Sequence, residues 1–314
     1  VIHHDGFAMW DSDVSSWNVG DRGPKRDLYG ELVESLRSEG LKTVATFHHR
    51  RTFNWYLPRK KKYRDEILES GKYDLTDPEY KYLYWNKSTS TEEEFLKQWE
   101  AKVKEVLNKY QPDVVWFDGG DFASRGPGDA RRVIAQYFNA ADERGDEVEV
   151  LNKLPTSMKF NFPREFGILT FEQGRDRPAH VDRPWVDDMK IGFKSWGYIK
   201  GMEYKPVNQL VDGLVDRVSR GGGLLLSLSP TAQGTLPQGQ KDVLLGMGRW
   251  FEVNGQAIYG TRRWKINAEG PVEEILQTGG RHDKWVFENV GPKHVRFTRK
   301  GNTLYAIALA WPED

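Results

Sequence analysis

The sequence holds no cysteine. Disulfides, thiolate catalysis and cysteine–zinc sites are therefore excluded, while the compartment stays open. It also lacks an excess of charge of either sign: Lys+Arg and Asp+Glu both total 46, a formal net charge of zero. That balance argues against a general nucleic-acid binder, although a local basic patch would not show in the sum. No run of about 18 apolar residues occurs, so no membrane-spanning helix is expected. Neither GxGxxG nor GxxxxGK[ST] is present, so no phosphate-cradling loop is indicated, and no cofactor is expected. The opening stretch, VIHHDGFAMW, has neither the basic n-region nor the long apolar h-region of a signal peptide, and no initial Met. No internal repeat or low-complexity segment stands out.

What the chain has in quantity is aromatic residues, 13% of the total, with 12 tryptophans. Tryptophan stacks on the apolar faces of sugars and is also large core filler, the expected role of most of these residues. With 314 residues, the chain can bury a sizeable core as one large domain or one domain plus a smaller one.

Strand and helix patterns alternate over the first 260 or so residues. DLYGELVESLRSEG (27–40) reads as a helix with Gly40 at its C′ position, and LKTVATFHH (41–49) as a strand. The aromatic, charged stretch 51–90 is too long for an ordinary connection and is expected to be a functional loop. A helix over 90–110 has Ser90 or Thr91 as its cap. The strand VVWF then runs into Asp118, followed by a helix (128–145) and the strands EVEVLNK (147–153) and GILTFEQG (167–174). Residues 182–198 read as an irregular segment carrying Trp185, Asp187, Trp196 and Tyr198. A helix (207–222) leads to GLLLSLSP (223–230), and a further helix begins at 240. Beyond Trp264, GRHDKWVFENVG, HVRFTRKGN and TLYAIALAWP read as short strands between turns. This order predicts a parallel α/β domain. Polar residues at the strand ends favour a (β/α) barrel over a doubly wound sheet.

Five places carry chemistry-bearing residues. His3, His4 and Asp5, beside a Gly turn, read as a metal site, as groups at a strand end gripping a polar substrate, or as structural histidines. Successive side chains on a strand point opposite ways, which weighs against one shared metal. The His48-His49 pair ends another strand and adds weight to a polar pocket. Asp118 ends an apolar run with Gly119 and Gly120 beside it, and reads as a nucleophile or base, or as a turn former. Glu172 repeats the design. Two carboxylates from different strand ends are the minimum set for glycoside hydrolysis. Asn152 and Lys153 end the strand between them and read as sugar-hydroxyl ligands or as a turn.

Together, HHDGFAMWDSDVSSWN, YQPDVVWFDGG, SWGY, VSRGGGLLLSLSPTAQGTLP, VNGQAIYGTRRW and HVRFTRKGNTLYAIALAWP resemble the family-29 glycoside hydrolases, the α-L-fucosidases. The likeness is ordered and spans essentially the whole chain. It implies a (β/α)8-like barrel over 1–262 and a C-terminal β-sandwich over 263–314. It also implies an exo-acting retaining mechanism, with Asp118 as nucleophile, His3 and His4 on the sugar hydroxyls, and Phe47, His48 and Trp55 lining the pocket. Trp10, Trp116, Trp185 and Trp196 complete the expected substrate-binding set with Asn152 and Lys153. The expected partner is a fucosylated oligosaccharide or polysaccharide, and the expected location periplasmic or secreted. Many members carry a Trp-Glu pair before SWGY where this chain has Trp185-Val186-Asp187-Asp188, so the acid/base is assigned to Glu172. An Asn-Asp-Arg pattern reads Asn152-Lys153-Leu154 here, and Gly223 and Ser227 stand where asparagines are frequent. Family chains carry a substantial stretch before HHDGF, so the sequence is expected to be a fragment with an incomplete sandwich. The competing readings are a sugar-binding protein on the same fold, a glycosidase for another deoxy- or galacto-configured sugar, and a metal-dependent hydrolase using the histidine pairs.

Overall fold

The computed structural model describes residues 1–118, 126–153, 165–174, 182–270 and 290–311. The chain forms two compact units, Val1–Gly167 and Ile168–Asp314, a division that falls inside the stretch expected as one domain.

The first unit alternates helix and strand. Helix α1 (Leu28–Ser38) starts where the Asp27 carboxylate accepts from the Gly30 N–H, and strand β1 (Val44–Phe47) follows. Helices α2 (Lys61–Glu69) and α3 (Lys81–Tyr84) lie within the long 51–90 segment, so that stretch is partly helical. Its base is closed by the Asn54 N–H donating to Trp85 O (2.8 Å) and the Lys87 N–H donating to Asn54 Oδ1 (3.0 Å). Trp85 is buried against Phe95, which anchors the segment to helix α4 (Glu92–Tyr110). Thr91, one of the two expected caps, begins α4 in a capping box with Glu94, satisfying two N–H groups that a helix start leaves unpaired. Phe95, Trp99, Val103, Val106 and Tyr110 recur at helical spacing and face inward. Strand β2 (Val114–Phe117), helix α5 (Ala130–Arg144) and strand β3 (Glu149–Lys153) complete the unit.

Strands β1, β2 and β3 pair in parallel, with Phe47 level with Phe117 and Phe117 level with Asn152. Residues just past these points therefore emerge side by side at the carboxyl ends. The opening stretch adds to the row. Ile2 bridges Phe47 in parallel, and the His48 N–H donates to Ile2 O at 3.0 Å.

The second unit contains parallel strands β4 (Ile168–Glu172), β5 (Trp185–Lys190) and β6 (Gly222–Ser227), with helix α6 (Val207–Ser219) between β5 and β6. Helix α7 (Gln238–Asn254) leads to an antiparallel sheet of β7 (Arg262–Glu269), β8 (Val295–Lys300) and β9 (Thr303–Ala308). Most of the expected strand GRHDKWVFENVG lies outside the described residues.

One segment departs from its sequence reading. Residues 185–190, expected to be irregular, form β5. The Asp187 carboxylate that breaks the apolar pattern is fully buried and paired with Arg217 at 2.6 Å, and it also accepts from the Gly174 N–H. A buried, hydrogen-bonded ion pair lets a charge occupy a strand interior. Trp185 packs over Gly222 of β6, where a Cβ would lie 2.3 Å from its ring.

Candidate active site

The site in the first unit is a row of side chains at the carboxyl ends of adjacent chain segments, the end at which parallel α/β folds place their chemistry. Asp118 follows β2, and its backbone N–H donates to Phe47 O (3.0 Å), extending the ladder by one rung. The His48 Nδ1–H donates to Asp118 Oδ2 at 2.8 Å, and Lys153 Nζ lies 2.6 Å from Asp118 Oδ1. Both carboxylate oxygens are thus engaged by neighbours from the flanking strands. Burial alone would raise the Asp118 pKa, but the His48 hydrogen bond and the Lys153 ammonium outweigh it. They hold the carboxyl well below the usual carboxylate range.

The remaining walls are aromatic. The His3 ring lies 4.6 Å from His48 and 4.3 Å from His4, measured between centroids. Trp55, supplied by the long segment, sits 4.4 Å from His4 and is 48% exposed. The Trp116 ring lies 6.0 Å from His48, with Lys153 Nζ 5.6 Å from its centroid.

His3 and His4 do not continue a strand. Both follow the Ile2 bridge, and Gly6 at φ +83° closes a turn whose N–H donates to His3 O. The two rings therefore lie against each other rather than on opposite faces, which corrects the strand reading. The His4 Nδ1–H donates to His48 O at 2.7 Å and fixes its ring. Burial lowers His4, and burial with the neighbouring His48 and His4 lowers His3 to about 4. Lys102 of α4, buried beneath the turn, donates to Gly6 O at 3.4 Å, and burial brings its ammonium down to about 8.

Three other expected pocket residues of the first unit are buried within it. Trp10 is fully buried and its indole donates to Glu105 Oε2 at 2.8 Å, so it is a core residue. Phe47 is buried and stacked on Phe117. Phe47 points inward because side chains alternate between the two faces along β1. Asn152 is buried, donating to Phe166 O at 3.2 Å. Glu172, Trp185 and Trp196 belong to the second unit. There Glu172 ends β4 level with Asp188 of β5, Trp185 is buried edge-on to Phe171, and Trp196 is partly exposed, with Lys190 Nζ 5.9 Å from its ring centroid. Two relationships escaped sequence reasoning. The sequence reads Lys153 as a sugar ligand or a turn residue, and not as the counter-charge of Asp118. Asp188 was placed on an irregular segment and not beside Glu172. Counting one residue past each apolar strand would have found the first.

An ionised carboxylate raised on a parallel strand end, walled by imidazole and indole rings, is the arrangement glycoside hydrolases use to meet a sugar. The comparisons name the family. The α-L-fucosidase family model matches residues 1–256, and the chain belongs to that family. It is 29% identical over 318 residues to the plasma α-L-fucosidase of Homo sapiens, covering 99% of this chain and 58% of the relative. Among solved structures it is similar to the Thermotoga maritima α-fucosidase in complex with fucose, at TM-score 0.67 and 28% identity, covering 97% of this chain and 59% of the other. The same enzyme in complex with a mechanism-based inhibitor gives TM-score 0.70 and 29% identity, covering 99% and 61%. The chain thus spans about three fifths of the length of these relatives.

Proposed function

We propose that this chain is the catalytic part of an exo-acting retaining α-L-fucosidase that releases α-L-fucose from fucosylated glycans. The observation that carries the reading is the Asp118 carboxylate, held ionised by His48 and Lys153 inside a wall of His3, His4 and Trp55. Its relatives, α-L-fucosidases that include one in complex with fucose, point to the sugar. In this reading the two sets of parallel strands belong to one (β/α)8-like barrel, and β7 to β9 to a C-terminal β-sandwich. The protein works in a periplasmic or secreted setting.

The reaction has two steps. The Asp118 carboxylate attacks the anomeric carbon, the glycosidic C–O bond breaks, and Glu172 gives its proton to the leaving oxygen. Glu172 then takes a proton from water, which attacks the same carbon. The Asp118 ester bond breaks and α-L-fucose leaves with its configuration retained. The two carboxyl groups work at roughly 5–5.5 Å separation in such a mechanism. His3, His4 and His48 hydrogen-bond the sugar hydroxyls, and Trp55 and Trp116 cover its apolar edge. Tight charge-pairing makes Asp118 a modest nucleophile but a good leaving group. That favours the second step over the first.

Hydrolysis of an aryl α-L-fucoside by this chain, beside Asp118→Asn, tests the proposal. Turnover by the chain and its loss by about 10³-fold or more in the variant is the expected result. Equal turnover in both, or hydrolysis of a different aryl glycoside in preference, contradicts it.

A further inference from the structure

We infer that His3, His4 and His48 form a three-imidazole site for a borderline-soft divalent cation of the zinc class, one that caps the Asp118 pocket and is not used by the reaction. One ligand nitrogen from each ring lies within 4.8 Å of the other two. Ligands around tetrahedral zinc, at Zn–N distances of about 2.0–2.1 Å, sit roughly 3.4 Å apart, so small ring rotations close the site. Among the described residues it is the one such cluster of histidine and carboxylate groups.

The surrounding hydrogen bonds are those a metal site requires. Ligating histidines donate their second ring N–H to a carboxylate or a backbone carbonyl, which fixes the tautomer and turns the other nitrogen outward. His48 has the carboxylate form, its Nδ1–H donating to Asp118 Oδ2 at 2.8 Å. His4 has the carbonyl form, its Nδ1–H donating to His48 O at 2.7 Å. In both rings Nε2 keeps its lone pair for a cation. The objection that adjacent histidines diverge on a strand does not hold here, because the Gly6 turn brings the His3 and His4 centroids to 4.3 Å. His3 is exposed, which opens the cluster to solvent. Three protein nitrogens leave a fourth position for water.

A cation bound there occupies the nitrogens that the proposed function gives to the sugar hydroxyls, so metal and sugar exclude each other. That consequence rests on the proposed function; the metal site itself does not.

The test is titration of the full chain with Co²⁺, followed by its visible ligand-field absorption, and with Zn²⁺ by calorimetry. Neither readout needs turnover. The expected result is one ion per chain, with affinity falling at least tenfold in His3→Asn and again in His48→Asn. His3 is on the surface, so its variant keeps the fold, as circular dichroism would confirm. Failure of the unaltered chain to bind either ion at 1:1 overturns the inference, and so does undiminished binding in His3→Asn. A bound ion that free L-fucose does not displace contradicts the sugar assignment of the histidines and leaves the metal site standing.

Discussion

Lys153 Nζ lies 2.6 Å from Asp118 Oδ1, each residue standing one position beyond level partners on neighbouring parallel strands. The ion pair follows from register: Phe117 and Asn152 are opposite each other, so the residues after them must be. Lys153→Met removes the charge while keeping much of the bulk. The Asp118 carboxyl is held low by this ammonium and by His48, so its pKa rises in the variant. The acid limb of kcat/KM for an aryl α-L-fucoside is then expected to move to higher pH, with the decline beginning before the unaltered enzyme's. An acid limb that stays in place would show that Lys153 does not set the charge of Asp118.

Asp212, on α6, is 5% exposed and burial raises its carboxyl from 3.8 to about 7, against a smaller opposing effect of Arg296. Between these two values the unfolded chain has lost the proton that the folded chain retains. Stability therefore falls as pH rises from about 4 to about 7 and is level above, by an amount on the order of 4 kcal/mol. Asp212→Asn removes this slope. Urea midpoints at pH 5 and pH 8 are expected to converge in the variant, which is the more stable of the two proteins at pH 8. An unchanged difference between the two midpoints would refute the assignment.

Gly222 tests the packing of β5 against β6. A Cβ there would meet the Trp185 ring at 2.3 Å, so the backbone or the indole must shift to accept it. Gly222→Ala is expected to cost about 1–3 kcal/mol or more and to lower Tm by several degrees. Trp185→Leu in the same chain restores part of the loss by vacating the space, a non-additivity that a double-mutant cycle reads directly. Additive losses would mean that the ring is not the obstacle.

Much of the architecture was legible because local signals agreed with the fold. Thr91 with Glu94, the helical spacing of Phe95, Trp99, Val103 and Val106, and the apolar run into Asp118 each point to one structure. Two of the departures share a cause: partners remote in sequence. Asp187 made β5 look irregular because its partner, Arg217, lies 30 residues away. Trp10 is expected in the pocket because residue type alone does not distinguish an indole that stacks on a sugar from one that donates to Glu105. The Gly turn beside His3 and His4 is visible in the sequence, but not that it sets their two rings against each other. The candidate site was legible as a list of residue types. Its order, His3 beside His48 beside Asp118 beside Lys153, came only with the register.

The proposed reaction requires that Asp118 form the bond to the sugar. The most direct measurement is covalent trapping: incubate the chain with an activated 2-deoxy-2-fluoro-α-L-fucosyl donor, digest it, and locate the adduct by mass spectrometry. The account predicts one fluorofucosyl group per chain, on the peptide containing Asp118, and none in Asp118→Asn. An adduct on Glu172, Asp188 or any other carboxylate would contradict it.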